Sequence, residues 1–198
     1  MHTFRGGCAE VRQFPRATGT ESPLLNRIDT LPTGFTGTDA RALHRLLPGP
    51  TLVRLPGMVS GAIFVCVLQH GNEDTGLQAV QRMIEAHRDR PLPRPVWLFI
   101  GNPEAARQRR RRLDHQPDLN RCWPGTELPV CPETRMLQEV VNTVAAEPLL
   151  ASIDIHNTTG ENPHYVGVNA LDNACLQLAR LFARTVVHFT RPRGAQAQ

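Results

Sequence analysis

Three side chains in two separate segments have the chemical types that bind a catalytic metal ion. A turn bracketed by Gly71 and Gly76 can bring His70 and Glu73 to one point, and His156 lies in a second polar loop further along the chain. Zinc accepts imidazole nitrogens and carboxylate oxygens, and a catalytic zinc keeps three protein ligands and an open position for water. These residues therefore predict a zinc site made by His70, Glu73 and His156.

Each of the two loops follows a short apolar run. Residues 62–69 predict a buried strand that ends at His70, and residues 149–155 predict a second strand that ends at His156. Ligand sites in open α/β sheets gather where parallel strands end, so two strands that each finish on a histidine are expected to share a metal. The alternative is that both histidines are ordinary strand-end residues and that Glu73 is only a favourable charge at a helix N-terminus.

The surrounding pattern predicts an α/β fold. A helix at 76–90 separates the strand at 62–69 from another at 96–100, and this order favours a parallel βαβ unit. Further helices are predicted at 38–47, 104–112, 133–147 and 171–183, and further strands at 51–55 and 185–189.

An adjacent amide and guanidinium suggest a second binding element. Asn120 and Arg121 follow Asp118 and Leu119, and such a pair can hold one carboxylate from two sides. Alone, the four residues could equally form a helix cap with a surface ion pair. Beside a metal site, a substrate clamp becomes the better interpretation.

Composition excludes several classes of protein. The 198 residues suffice for one domain, the net charge is only +4, and no apolar run approaches the length of a membrane span. The arginine run at 107–112 lacks interleaved aromatic residues, so we expect a solvated helical face and no nucleic-acid partner. Five scattered cysteines without a CxxC motif predict neither disulfides nor a thiolate metal site. The start lacks a signal-peptide core, which predicts a cytoplasmic protein without membrane association.

Four ordered segments together resemble the succinylglutamate desuccinylase/aspartoacylase family, a branch of the zinc carboxypeptidase-like hydrolases. They are His-Gly-Asn-Glu at 70–73, Gly-Asn-Pro at 101–103, Asp-Leu-Asn-Arg at 118–121 and Asp-Ile-His-Asn-Thr-Thr at 154–159. The resemblance covers about residues 50 to 190. It implies a three-layer α/β/α fold with a mixed, largely parallel central sheet.

The resemblance also implies an activity. Members of this family are zinc-dependent amidohydrolases that remove the acyl group from an N-acyl amino acid, usually an acidic one such as N-succinylglutamate or N-acetylaspartate, by attack of a zinc-bound water. The implied cofactor is Zn²⁺ and the implied partner is a small molecule, while self-association into a homo-oligomer stays open.

Residue roles follow from the same resemblance. His70, Glu73 and His156 would hold the zinc, and Asn120 and Arg121 would grip a substrate carboxylate. An arginine shortly before the Asp-Leu-Asn-Arg segment would polarise the scissile carbonyl. Arg111 and Arg112 both lie there, and Arg112 is slightly favoured.

The chain departs from the family at the general base. The family uses a glutamate well downstream of the third ligand, whereas residues 162–198 contain none, and Glu161 is a weak substitute. We therefore expect an irregular segment at 1–36 and, at 37–198, a zinc-binding α/β hydrolase domain that lacks its C-terminal part. Whether this chain is active by itself is left open. The alternatives are a zinc carboxypeptidase acting on C-terminal residues and a catalytically inactive domain that binds zinc and carboxylates.

Overall fold

The computed structural model describes residues 24–158, 160–190, 193 and 195, and these form two β-sheets with helices. The strands are β1 (Asn26–Ile28), β2 (Thr51–Leu55), β3 (Ala62–Val67), β4 (Val96–Ile100), β5 (Leu149–Ile155), β6 (Tyr165–Val168) and β7 (Thr185–His188). The α-helices are α1 (Thr75–Ala86), α2 (Pro103–Arg107), α3 (Pro132–Val144) and α4 (Asn173–Ala179). Short 3-10 helices lie at Phe35–Gly37, Leu43–Arg45 and Leu119–Arg121.

The main sheet is mixed and largely parallel. Its strand order is β1-β2-β4-β3-β5, with β2 and β4 antiparallel and the other neighbouring pairs parallel. The predicted βαβ unit is β3-α1-β4, because β3 and β4 pair in parallel on either side of α1. Strands β6 and β7 form a second parallel pair, with α4 between them in the chain.

Helices cover both faces of the main sheet. Side chains alternate between the faces of a strand, and β3 follows this rule. Val65 packs in the same buried cluster as Leu77 of α1, whereas Phe64 and Cys66 pack in the cluster that contains Leu137 of α3. The predicted three-layer α/β/α arrangement is thus confirmed.

Every predicted helix is shorter than expected at one end or both. The helix predicted at 76–90 ends at Ala86, the one at 133–147 ends at Val144, and the one at 171–183 covers only Asn173–Ala179. The helix predicted at 38–47 is only a 3-10 turn at Leu43–Arg45, because the Thr38 hydroxyl donates 2.7 Å to the Gly34 carbonyl and Asp39 accepts from the Arg41 amide. Such local bonds compete with helix formation. The helix predicted at 104–112 ends at Arg107, and Arg109 adopts a left-handed φ of 53° that an α-helix cannot continue.

The N-terminal part of the described chain contributes to the core. β1 pairs with β2 as the edge of the main sheet, and Leu25 and Phe35 are buried. The predicted irregular segment at 1–36 falls largely outside the described residues, and the boundary at 36/37 stays a prediction. Among the helices of the described chain, none has the length and apolar character needed to cross a bilayer.

Candidate metal centre

The parallel pairing of β3 and β5 brings the two predicted metal loops to one edge of the sheet. Val67 and Ile155 are register partners at the ends of these strands, so the loops that follow them begin side by side. The first loop also packs closely on α2. A Cβ at Gly71 would lie 2.2 Å from the backbone nitrogen of Ala106, so only glycine fits at this position.

Within these loops, the three predicted ligands converge. His70 Nδ1 lies 3.0 Å from Glu73 Oε1, His156 Nδ1 lies 2.7 Å from Glu73 Oε2, and the two Nδ1 atoms are 3.1 Å apart. One ligand atom from each residue falls within 4.8 Å of the others. Two imidazole nitrogens and a carboxylate form a donor set that suits zinc. The structure therefore contains a His-Glu-His cluster that can hold a metal ion.

An aspartate contacts the far nitrogen of each histidine. His70 Nε2 lies 2.8 Å from Asp118 Oδ1, and His156 Nε2 lies 2.7 Å from Asp154 Oδ2. A carboxylate at this position fixes the orientation of an imidazole that binds metal through its other nitrogen. The sequence pattern predicted a role for neither aspartate. Asp154 could have been found, because residues two apart in a strand face the same side.

Like His70, Glu73 is almost fully buried within the cluster. Its side chain is 4% exposed, and besides the two imidazoles it accepts a hydrogen bond of 3.1 Å from the backbone N–H of Asn157. Burial raises the pKa of the Glu73 carboxyl, but the hydrogen bonds from His156 and His70 outweigh this and lower the pKa to about 2. Glu73 is therefore ionised at neutral pH, as a metal ligand must be.

The pKa values of the two imidazoles are raised, whereas that of Glu73 is lowered. Burial lowers the pKa of His70, but its hydrogen bonds to Asp118 and Glu73 are stronger and raise it. For His156, burial is likewise outweighed by the bonds to Asp154 and Glu73, and the pKa rises to about 10. Both rings thus hold protons readily in the metal-free protein, and a bound metal has to displace them.

The two candidate polarising arginines lie in different surroundings. Arg111 Nη1 donates to Glu73 Oε1 at 3.2 Å and Arg111 Nη2 donates to Asp118 Oδ2 at 3.0 Å, while about half of the side chain is exposed. Arg112 instead donates to backbone carbonyls, including that of Gln116 at 2.7 Å. Only Arg111 contacts the His-Glu-His cluster among the described contacts of these two residues.

The predicted carboxylate clamp lies beside the same cluster. Asp118 caps the short 3-10 turn by accepting from the Asn120 amide at 2.9 Å, and Asn120 Nδ2 lies 3.1 Å from His156 Nε2. The Arg121 guanidinium donates to the Asn120 carbonyl at 2.6 Å, which keeps it near that turn. Asn120 and the metal ligands are therefore neighbours, and Arg121 is held next to Asn120.

The Gly-Asn-Pro segment has a structural explanation. The Asn102 side chain accepts from the Ala105 amide at 3.1 Å and so caps α2, and its amide group donates to Gln116 at 2.9 Å. A Cβ at Gly101 would lie 2.8 Å from the Gln69 Cα. This segment therefore fixes α2 and the loop that carries Arg111 against the end of β3.

Other polar features of the sequence take no part in the cluster. Arg107 pairs with Glu104 at 3.0 Å and Arg110 pairs with Asp114 at 2.7 Å, so two arginines of the run at 107–112 are engaged in exposed ion pairs. Glu161 is exposed. Cys66 is a buried core residue, and burial raises the pKa of its thiol well above the usual value.

The described residues form an α/β protein with a mixed sheet covered by helices on both faces. A His-Glu-His cluster that can hold a metal ion lies where two of its parallel strands end. The chain belongs to the succinylglutamate desuccinylase/aspartoacylase family, because residues 62–191 match the family described as Succinylglutamate desuccinylase/Aspartoacylase catalytic domain. The resemblance noted in the sequence is confirmed.

Curated relatives agree with this family. From Danio rerio, N-acyl-aromatic-L-amino acid amidohydrolase (carboxylate-forming) B is 33% identical over 120 residues, which is 54% of this chain and 37% of the relative. Form A from the same organism is 34% identical over 120 residues, with 54% and 35% covered. The matched region thus spans little more than a third of the length of these relatives.

A solved structure shows the same fold. The succinylglutamate desuccinylase from Chromobacterium violaceum superimposes with a TM-score of 0.52 at 21% identity, over 69% of this chain and 49% of that chain. This similarity supports the α/β assignment.

Proposed function

We propose that this chain forms the zinc-binding part of an amidohydrolase that removes the acyl group from an N-acyl amino acid. The observation that carries the proposal is the convergence of His70, Glu73 and His156 at the ends of two adjacent parallel strands. The amidohydrolase names of the curated relatives support the type of reaction.

The three ligand side chains would hold the ion, and the two aspartates would hold the imidazoles. Bound zinc supplies a Lewis acid that polarises a carbonyl and lowers the pKa of water. The protein's own part is to present two neutral ring nitrogens and one carboxylate at a single point. Asp118 and Asp154 serve this purpose, because an ionised carboxylate is an acceptor only and keeps the proton of each ring on Nε2.

Arg111 is the residue we propose for polarising the scissile carbonyl. Its guanidinium already contacts Glu73, and its partial exposure leaves donors free to meet a substrate oxygen. An amide carbonyl gains negative charge as it is attacked, and a fixed cation stabilises that charge. Because Arg112 is bound to backbone carbonyls, the slight preference for Arg112 from sequence is replaced by a preference for Arg111.

Asn120 and Arg121 are proposed to bind the free carboxylate of the amino acid. An amide and a guanidinium supply donors from two directions, which suits a planar carboxylate. Their position next to His156 would set the acyl bond near the metal while the carboxylate is held.

Two substrate classes compete within this proposal. The family resemblance favours an acidic amino acid, as in N-acetylaspartate or N-succinylglutamate, whereas the curated relatives carry names that specify N-acyl-aromatic amino acids. We propose the acidic class first, because the family to which the chain belongs is described by its succinylglutamate desuccinylase and aspartoacylase members. Parallel assays with N-acetylaspartate, N-succinylglutamate and N-acetylphenylalanine separate the two classes.

The zinc site is tested by metal analysis of purified wild-type protein and two histidine variants. We expect one zinc per chain in the wild type, a loss of zinc in His156→Ala, and full zinc in His87→Ala. His87 is the matched control because, among the hydrogen bonds of the described residues, its ring contacts the Met83 carbonyl alone, at 2.9 Å, at the end of α1. Equal zinc in wild type and His156→Ala would remove the assignment. A peptide with a free C-terminus is included in the assays to test for carboxypeptidase activity.

A further inference from the structure

A buried chain of hydrogen bonds leads from the protein core to His156. The Trp123 indole donates from Nε1 to Gln69 Oε1 at 2.8 Å, and the Gln69 amide donates from Nε2 to Asp154 Oδ2 at 2.7 Å. The same Asp154 oxygen lies 2.7 Å from His156 Nε2. Trp123 and Gln69 are each 2% exposed. The amidohydrolase mechanism described above uses neither residue.

We propose that Gln69 and Trp123 are positioning residues that fix the ring of His156 with its Nδ1 toward Glu73 and His70. This inference rests on the proposed zinc site. It adds that two buried residues outside the ligand set are needed to orient His156. A buried polar side chain requires a partner, and here each partner leads one step closer to the metal cluster.

The direction of every bond in the chain is determined by chemistry. An indole N–H is only a donor, so the Gln69 amide must turn its oxygen to Trp123 and its NH₂ group to Asp154. An ionised carboxylate is only an acceptor, so the bond between Asp154 and His156 needs the proton on Nε2. The remaining ring nitrogen, Nδ1, is then the one that faces Glu73 at 2.7 Å.

Trp123 is itself held firmly. Its ring makes edge-to-face contacts with Phe64 and Phe99, with centroids 6.1 and 5.8 Å apart. It also lies two residues after Arg121, in the segment that carries the proposed carboxylate clamp. The hydrogen-bond chain therefore links the clamp segment to β5, so that the metal ligand and the clamp keep a fixed relationship.

Removing Gln69 would leave Asp154 with fewer donors. The Asp154 side chain is 8% exposed, and both of its described hydrogen bonds fall on Oδ2, one from Gln69 and one from His156. Without the amide, the carboxylate can rotate and the imidazole can flip, which exchanges the positions of its nitrogens. A flipped ring presents the wrong nitrogen to the ion.

The test compares two variants with two matched controls. Gln69→Leu and Trp123→Phe remove one donor each from the chain. Gln81→Leu removes another buried glutamine, which donates to the Phe35 carbonyl at 2.7 Å, and Trp97→Phe removes another indole donor, which contacts Glu147. Neither control side chain contacts the metal cluster in the described hydrogen bonds.

The readouts are the zinc dissociation constant from chelator competition and the ¹⁵N chemical shifts of His156 in the zinc-loaded protein. We expect Gln69→Leu and Trp123→Phe to bind zinc more weakly than the wild type, by up to about the 10-fold that losing a partner bonded directly to a metal ligand costs. Their spectra should show a mixture of Nδ1-bound and Nε2-bound rings. Wild type and both controls should show Nδ1-bound His156 only, with unchanged zinc affinity.

If Gln69→Leu does not fold, Gln69→Met provides the same test, because it keeps the length of the side chain but removes the N–H that donates to Asp154. Wild-type zinc affinity and a single Nδ1-bound ring in Trp123→Phe and in the Gln69 variant would overturn the positioning role and leave the zinc site standing. A wild-type protein that binds no zinc would overturn the proposed function, and the positioning role with it.

Discussion

Asp154 and His156 lie two residues apart on one side of β5 and its extension, and Asp154 Oδ2 is 2.7 Å from His156 Nε2. This contact sets the ring so that Nδ1 points to Glu73. Asp154→Asn is expected to weaken zinc binding about 10- to 100-fold, because an amide no longer secures the ring proton on Nε2.

Chelator competition measures this loss, and Asp114→Asn is the matched control. Asp114 forms an ion pair with Arg110 at the surface, and its side chain is 89% exposed. Zinc affinity in Asp154→Asn equal to that of the control would show that the Asp154 contact has no effect on the metal.

Zinc binding should release protons. The carboxylates around His70 and His156 raise the pKa of both rings, that of His156 to about 10, so the metal-free His156 ring is protonated at pH 7.5. Zinc requires their neutral nitrogens, so the apparent zinc affinity should increase as the pH rises.

Calorimetric titrations in two buffers with different ionisation enthalpies measure the released protons. We expect the binding heats to differ between the buffers, and the difference to shrink in Asp154→Asn, where the pKa of His156 is raised less. Identical heats in both buffers would mean that the rings are already neutral before zinc binds.

The two adjacent arginines should differ in activity. Arg111→Ala is expected to lower kcat for hydrolysis of an N-acyl amino acid about 10²- to 10³-fold, the usual cost of removing one donor to a developing oxyanion. Arg112→Ala should keep most of the activity, since Arg112 donates to backbone carbonyls.

Hydrolysis of an N-acyl amino acid is followed by the amine released, and zinc content is measured in both variants because Arg111 also contacts Glu73. A larger loss in Arg112→Ala, with zinc content intact, would return the polarising role to Arg112.

The packing of α3 against the main sheet should contribute to the stability of the fold. Leu137 of α3 is fully buried against the sheet, so Leu137→Ala should lower the free energy of unfolding by about 2–5 kcal/mol. Leu171→Ala, at a position 60% exposed, should change it by no more than about 0.5 kcal/mol. Urea denaturation followed by tryptophan fluorescence measures both. Similar values for the two variants would contradict the packing of α3 on the sheet.

The parts of the fold that the sequence predicted well are those set by local periodicity. Apolar runs located β3, β4 and β5, and helical spacing located α1 and α3, because these elements bury one continuous face. The helix predicted at 38–47 was wrong, since Thr38 and Asp39 bond to nearby backbone groups instead of capping a helix.

The three candidate metal-binding side chains and their placement after two strands could also be identified from the sequence. The partners of those ligands could not, because they depend on long-range contacts. Gln69 meets Trp123 across 54 residues, and His70 meets Asp118 across 48. The choice between Arg111 and Arg112 depends on the left-handed turn at Arg109, which a helical pattern conceals.

The most direct test of the metal centre is X-ray absorption spectroscopy of the zinc-loaded protein. We predict one zinc bound by two imidazoles and one carboxylate, with nitrogen and oxygen neighbours at about 2.0–2.2 Å. A shell with sulfur neighbours at about 2.3 Å, or one without imidazole scattering, would contradict the account.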